Sequence, residues 1–467
     1  MKIKFLGAVN EVTGSKFLIT TPKQKKILLD CGMYQGKGLE TDSDNKDLGF
    51  EPSEIDYLLL SHAHIGHSGL IPYIYKLGFK GTIFCTPATR DLCSIMLPDS
   101  GKIQESDTMQ FNKKRAAEGL PPVEPIYTVK EAMACMSQFV CIPYHLKFQI
   151  TPEISVKFTN NGHLLGSACV NITIKHAKKE RTICYTSDIG RYDKNVLQDP
   201  QKFPQADYII TESTYGDRAH DTIMKAEEEL LMAAINCCAK KRGKLLIPSF
   251  AIGRTQDLVY IFNKLKSQKL LPDVEIFVDS PLAVSATNIF RLHSECFKEE
   301  LQEAIKTKAD PFGFENIKYI RSIEDSKYLN TYNRPCIIIS ASGMMEAGRI
   351  KHHLANNIEN QRNTVLVAGY CAPKTLGAKI VRGDKEVSIF GVKYKVRAEV
   401  QKIDALSGHG DYEEMIKFLS CQEKRKIKKL FLVHGEPSTQ EKYKEHLIKA
   451  KFKNIYIPKF REEIDII

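Results

Sequence analysis

No run of about 18 apolar residues, the length a membrane-crossing helix requires, occurs in this 467-residue chain. Residues 1–15 lack the apolar core and cleavage site of a secretory leader. No CxxC pair occurs among the thirteen cysteines, which are scattered, and Cys169 and Cys184 lie inside apolar strand-like runs. That distribution argues against a disulfide framework and for buried thiols in a reducing compartment. Internal repeats, low-complexity tracts and long linkers are missing as well. The expectation is a soluble, cytoplasmic protein with no membrane partner.

What is present is an ordinary globular composition, 43% hydrophobic and 26% charged, which excludes a disordered or fibrous chain. A single core stops growing near roughly 250–300 residues, so two domains are expected. The 67 Lys and Arg exceed the 56 Asp and Glu, a net charge of +11 that leans toward a polyanionic partner such as nucleic acid.

Short strand-like runs (Lys2–Leu6, Lys16–Thr20, Lys26–Asp30, Glu54–Leu60, Gly81–Cys85, Ile154–Thr159, Cys169–Lys175, Thr182–Ser187) alternate with tight turns. They predict stacked sheets with covering helices, an α/β layered fold. Residues 98–145, charged and helix-prone, read as an excursion from it. Beyond residue 208 a helical pattern at Lys225–Lys240 and apolar strands at Gly243–Pro248, Val274–Asp279 and Cys336–Ser340 predict a parallel sheet with functional loops at its carboxyl ends. The expected division is 1–208 for the first part of one domain, 209–365 for a second, and 366–467 for completion of the first, from Thr364–Tyr370 onward. Asn454–Pro458 is the last strand-like run, with no appended module expected after it.

Chemistry concentrates in the segment SHAHIGHSG. His62, His64 and His67 fall within six residues just after a strand, where a loop can converge their imidazoles on a metal ion. His163, in a glycine-flanked turn, and Asp188, at the end of a strand, fit the same site; alone, each is equally well a turn former.

The chain resembles the metallo-β-lactamase superfamily, and within it the β-CASP group of nucleic-acid-processing nucleases, which includes bacterial ribonuclease J and the polyadenylation cleavage subunit. Beyond the histidine segments, the resemblance rests on TESTYGDRAH (211–220), IPSFAIGRTQDL (247–258), VDSPLA (278–283), SASGMMEAGRIKHHL (340–354), LSGHGDY (406–412) and FLVHGE (431–436). It implies an αββα sandwich with an inserted β-CASP α/β domain, and an active site in the cleft between them. It further implies that His62, His64 and His163 hold one zinc, that His67 and His434 hold another, and that Asp188 bridges the two. Such a pair would polarise the scissile phosphate and activate water. Glu212 would orient His409 so that it donates a proton to the leaving oxygen. A histidine at 434 marks the RNA-processing members, so single-stranded RNA is the implied partner. Ser342, Ser407, Arg254, Arg349 and His353 are candidates for phosphate binding; Arg254 and Arg349 are equally readable as structural ion pairs. Asp30 reads as a support or turn anchor behind the ligands. A homodimer is admitted as an assembly.

One position departs from the family motif His-x-His-x-Asp-His: Gly66 stands where an aspartate ligand of the second zinc is expected. Native or introduced, a glycine there removes one oxygen ligand and one negative charge. The expectation is a zinc-dependent ribonuclease with weakened second-site occupancy and reduced hydrolysis. Two alternatives stay open: an RNA-binding β-CASP protein that has lost catalysis, and a small-molecule metallo-hydrolase, which the 209–365 region disfavours.

Overall fold

Short apolar runs separated by tight turns build two seven-stranded sheets in the first of two compact units. The computed structural model describes all residues except 37–39, 178, 308, 370, 372, 373 and 467. Tyr370, the expected end of one strand-like run, lies outside the described residues.

The first unit comprises residues 1–192, 199–219 and 409–467. One sheet holds β1 (Lys2–Phe5), β2 (Phe17–Thr20), β3 (Lys26–Leu29), β4 (Tyr57–Leu59), β5 (Thr82–Cys85) and β6 (Phe139–Cys141) in that order. The pairing is antiparallel from β1 to β3 and parallel from β3 to β6. The other sheet contains β7 (Lys147–Thr151), β8 (Ile154–Asn160), β9 (Ala168–His176), β10 (Lys179–Tyr185) and β11 (Tyr208–Thr211). Here β7 to β10 pair antiparallel and β10 with β11 parallel.

Side chains two residues apart on a strand share a face. Thus Phe5, Phe17, Ile19, Ile27 and Leu29 from one sheet meet Val156, Phe158, Val170, Ile172, Ile183 and Tyr185 from the other in one buried core. The second sheet's far face, including Ile209, packs on the helices Tyr412–Leu419 and Pro437–Lys449 through Met415, Phe418, Tyr443 and Leu447. This is the αββα arrangement that the family resemblance implies. The excursion at 98–145 is mainly the helix Pro87–Ala117 and the shorter helix Val129–Ala134.

The second unit comprises residues 193–198 and 220–408. Its sheet is all parallel, built from β12 (Lys244–Pro248), β13 (Glu275–Asp279), β14 (Ile317–Ile320), β15 (Cys336–Ser340), β16 (Thr364–Val367) and β19 (Glu399–Lys402), in the order β14-β13-β15-β12-β16-β19. A hairpin of β17 (Glu386–Ile389) and β18 (Val392–Lys395) precedes β19. The run beginning at Thr364 therefore pairs with β12 and β19, so residues 366–408 cluster with this unit, beyond the boundary at 365 read from sequence. The helical pattern at 225–240 forms the helix Ile223–Ala234 followed by a π-helical stretch, Ile235–Lys240.

After the second unit the chain returns to the first. There β20 (Lys429–Leu432) and β21 (Ile455–Tyr456) extend the second sheet in parallel from β11. Beyond the expected last strand, β22 (Glu463–Asp465) pairs antiparallel with β1 and completes the first sheet. Its residues are exposed or half-buried charged and apolar groups, which is why no apolar run announced it. Among the described residues, no helix is long and apolar enough to cross a membrane.

Candidate metal centre

Strands β10, β11 and β20 run parallel, so their carboxyl ends line one rim of the first unit. Asp188 follows β10, Glu212 follows β11 and His434 follows β20; in the facing sheet, Asp30 follows β3 and His62 follows β4. His163 comes from the β8–β9 turn, and His409 makes an isolated bridge to Gly190. Asp30, Ser187 and His434 all have left-handed backbones, with φ of 55°, 52° and 49°. Such conformations cost non-glycine residues energy and persist where the surrounding structure enforces them.

Three imidazole nitrogens converge. His64 Nδ1 lies 3.2 Å from His62 Nε2 and 3.2 Å from His163 Nε2. Asp188 Oδ2 is 3.6 Å from His62 Nε2 and 3.5 Å from His163 Nε2. Ligands at about 2.0–2.1 Å from one tetrahedral zinc lie about 3.3 Å from each other, so this spacing suits such an ion. On the other side of Asp188, Oδ1 lies 3.3 Å from His67 Nε2 and 3.6 Å from His434 Nε2. His67 Nε2 and Asp188 Oδ1 are both buried and face each other without the alignment of a hydrogen bond. Buried polar atoms left this way are uncommon and fit a cation ligated by both. The donor set therefore fits two cations sharing Asp188.

The remaining ring atoms are tied back. Asp30 receives hydrogen bonds from Ser61 N and Oγ, from Tyr185 Oη, and from His67 Nδ1 at 2.7 Å. His62 Nδ1 lies 3.1 Å from Ser61 Oγ and 3.3 Å from Ser187 Oγ, and Thr214 Oγ1 lies 2.9 Å from His434 Nδ1. These partners fix which nitrogen of His62, His67 and His434 faces the centre.

Burial, together with the neighbouring His67, holds the His62 imidazole well below its ordinary pKa, and burial likewise lowers His434. Burial alone would also lower His67, but Asp188 and Asp30 raise it to about 10. Burial would raise the Asp188 carboxyl; His434, His67 and His409 instead hold it well below the usual carboxylate range.

Beside the centre, His409 Nδ1 lies 2.9 Å from Glu212 Oε2, and Ile189 N donates to Glu212 Oε1. The His409 side chain is 22% exposed, against 0–7% for His62, His67, His163 and His434.

Three family models match: the metallo-beta-lactamase superfamily over residues 10–90, the Beta-Casp domain over 255–380, and a Zn-dependent metallo-hydrolase RNA specificity domain over 393–458. A ribonuclease of Thermus thermophilus is 32% identical over 93% of this chain and 93% of its own length. This chain is a β-CASP member of the metallo-β-lactamase superfamily. An RNase J-like protein of Methanocaldococcus jannaschii is 31% identical over 93% of this chain and 92% of its own. A transcription termination factor, FttA, of Methanosarcina mazei is 30% identical over 93% of this chain and 67% of its own.

Against that β-CASP frame, Gly66 stands in open space: a Cβ built there meets nothing within 4 Å. Gly32 is the opposite case, since a Cβ there would lie 1.7 Å from the Gly66 carbonyl oxygen. A glycine at 32 lets that strand end approach the ligand loop.

The phosphate-binding candidates lie in the second unit, and two already have an acidic partner. Arg349 Nη1 and His353 Nε2 each lie 2.6 Å from the buried Asp279 carboxylate, and Arg349 Nη2 donates to Arg321 O. His353 is 1% exposed. Both side chains thus share an acid that lies 70 and 74 residues away from them in sequence. Arg254 is buried and donates to Ala368 O. Ser342 Oγ accepts from Ala347 N at 3.3 Å, and Ser407 is buried, with its N–H donating to Asp404 O. The orienting roles of Ser61, Ser187, Thr214 and Tyr185 had no sequence signal except their place beside motif residues.

Proposed function

We propose that this chain is a zinc-dependent ribonuclease that hydrolyses phosphodiester bonds of single-stranded RNA. One zinc would be held by His62, His64 and His163, another by His67 and His434, with Asp188 shared. The observation that carries the reading is the convergence of these nitrogens on Asp188 immediately beside the Glu212–His409 pair. The relatives named as ribonuclease and RNase J-like support RNA as the substrate.

When bound, the zinc pair supplies Lewis acidity toward the phosphodiester and toward water. The chain's own residues do the rest. The Glu212 carboxylate, fixed by Ile189 N, favours the charged form of His409, whose outer nitrogen then carries a proton for the leaving oxygen. Its greater exposure separates this donor from His62, His67, His163 and His434, which are buried. Asp30, Ser61, Ser187 and Thr214 keep the rings of His62, His67 and His434 in one tautomer and orientation.

Gly66 favours a second reading, an RNA-binding protein with impaired catalysis. Zinc per chain, by elemental analysis of protein purified without chelator, together with RNA cleavage before and after chelation, decides between them. Bound zinc with chelator-sensitive cleavage supports the nuclease; RNA binding without cleavage, even in Gly66→Asp, overturns it.

A further inference from the structure

The segment after β11 is pinned on both sides of one aromatic residue that the chemistry above does not use. Upstream, Glu212 meets His409, Ser213 Oγ donates to Val433 O at 2.7 Å, and Thr214 Oγ1 meets His434. Downstream, Gly216 lies so close to Tyr443 that a Cβ there would come within 2.4 Å of that side chain. Between these anchors Tyr215 is only half-buried, and its ring flanks His409 with centroids 6.2 Å apart and planes tilted by 51°.

Arg218 adds a planar cation. Its Cζ lies 5.7 Å from the Tyr215 ring centroid, and its Nε and Nη2 donate to the two Asp217 carboxylate oxygens at 3.0 and 3.1 Å. The Arg218 side chain is 62% exposed. An exposed ion pair of this kind adds little stability, but its two-point geometry holds the guanidinium plane near the ring. A half-buried aromatic ring with an exposed planar cation beside it is a usual platform for an unpaired base.

We infer that Tyr215, assisted by Arg218, stacks against one nucleobase of the RNA substrate, the base of the nucleotide that carries the leaving oxygen. This rests on the ribonuclease reading, in which the adjacent His409 donates to that oxygen; a single ribose separates that oxygen from its base. Tyr215 is here a binding residue and takes no part in proton transfer. Because every base has a π-face, the site selects for a single strand with unstacked bases and not for sequence.

The test uses the zinc-loaded protein and a short single-stranded RNA whose cleaved linkage has been mapped. Single-turnover cleavage gives a half-saturating concentration and a limiting rate for intact RNA, and for RNAs lacking the base on one or the other side of the cut. Tyr215→Ala is expected to raise half-saturation roughly 5- to 100-fold on intact RNA. It should have no further effect where the base on the leaving-oxygen nucleotide is already missing, and Tyr215→Trp should restore binding. A 2-aminopurine at that nucleotide should be quenched on binding by the natural protein and not by Tyr215→Ala. Equal half-saturation for Tyr215→Ala and the natural protein, or an equal loss on abasic RNA, overturns the inference, as does dependence on the base across the cut. Should Tyr215→Ala not fold, Tyr215→Leu carries the same comparison. Failure of the natural protein to bind RNA at all would fall on the ribonuclease reading instead.

Discussion

His67 gives its Nδ1 to Asp30 at 2.7 Å and turns its Nε2 toward Asp188. The same Asp30 also collects Ser61 and Tyr185, so one buried carboxylate sets the orientation of a histidine on the opposite side of the ligand loop. Asp30→Ala is expected to lower zinc affinity and cleavage 10- to 100-fold, the usual cost of losing a partner behind a ligand. Equilibrium dialysis against a zinc buffer measures it; unchanged affinity would reduce Asp30 to a turn anchor.

Gly66→Asp should be accommodated without loss of stability, because a Cβ at this position meets nothing within 4 Å. The expected outcome is more zinc retained per chain and faster cleavage at an unchanged thermal midpoint. Two zincs and full turnover with glycine in place would refute the weakened second site.

His409→Ala should reduce cleavage about 10²- to 10⁴-fold, the range for loss of a positioned proton donor. Zinc content should stay unchanged if the ring acts on the leaving oxygen. Loss of metal in His409→Ala would instead make it a ligand. Glu212→Gln should cut the rate too, because the carboxylate holds the His409 ring by a 2.9 Å contact.

Lys16 is buried, with its Nζ donating to Gly32 O at 2.9 Å and lying 4.3 Å from the Tyr34 ring centroid. Burial lowers it from an ordinary 10.5 to about 8, despite opposing pulls from Cys31, Glu11 and Asp44. Between those values the unfolded chain holds the proton more tightly than the folded one, so this group's penalty is full below pH 8 and fades as pH rises to 10.5. Lys16→Met should therefore stabilise the protein by about 1–3 kcal/mol at pH 7, and by less at pH 10. Urea unfolding of both proteins at the two pH values checks it; an equal difference at both would exclude Lys16 as the source.

Asp279→Ala should destabilise the second unit by about 3–5 kcal/mol, because it strands Arg349 and His353 without their shared acid. Hydrogen exchange in β13 and in the helix Ile350–Asn357 would report it. Unchanged protection there would return both side chains to the substrate.

Much of the centre was legible because its members end apolar runs. His62 after Leu58–Leu60 and Asp188 after Ile183–Tyr185 each mark a strand stopping at a loop, and the stacked sheets follow from the same runs, whereas His434 and the αββα layering came from the family resemblance. What was not legible depended on pairings across long stretches of chain. Tyr185 reaches Asp30 across 155 residues, and Asp279 gathers Arg349 and His353 from 70 and 74 residues away. A basic residue after a glycine looks the same in sequence whether a phosphate or a buried aspartate awaits it. Strand β22 and the extension of the second unit to Gly408 were hidden for a related reason: half-exposed strands such as Glu399–Lys402 carry too few apolar residues to stand out.

The first unit is interrupted by the second, so His62, His163 and Asp188 are synthesised well before His409 and His434. The edge strand Glu463–Asp465, which closes the sheet beside β1, emerges later still. On a translating ribosome the early histidines wait through some two hundred codons for their partners. A message broken anywhere in that interval would leave a fragment that carries five of the six proposed ligands but lacks His434 and the proton donor His409.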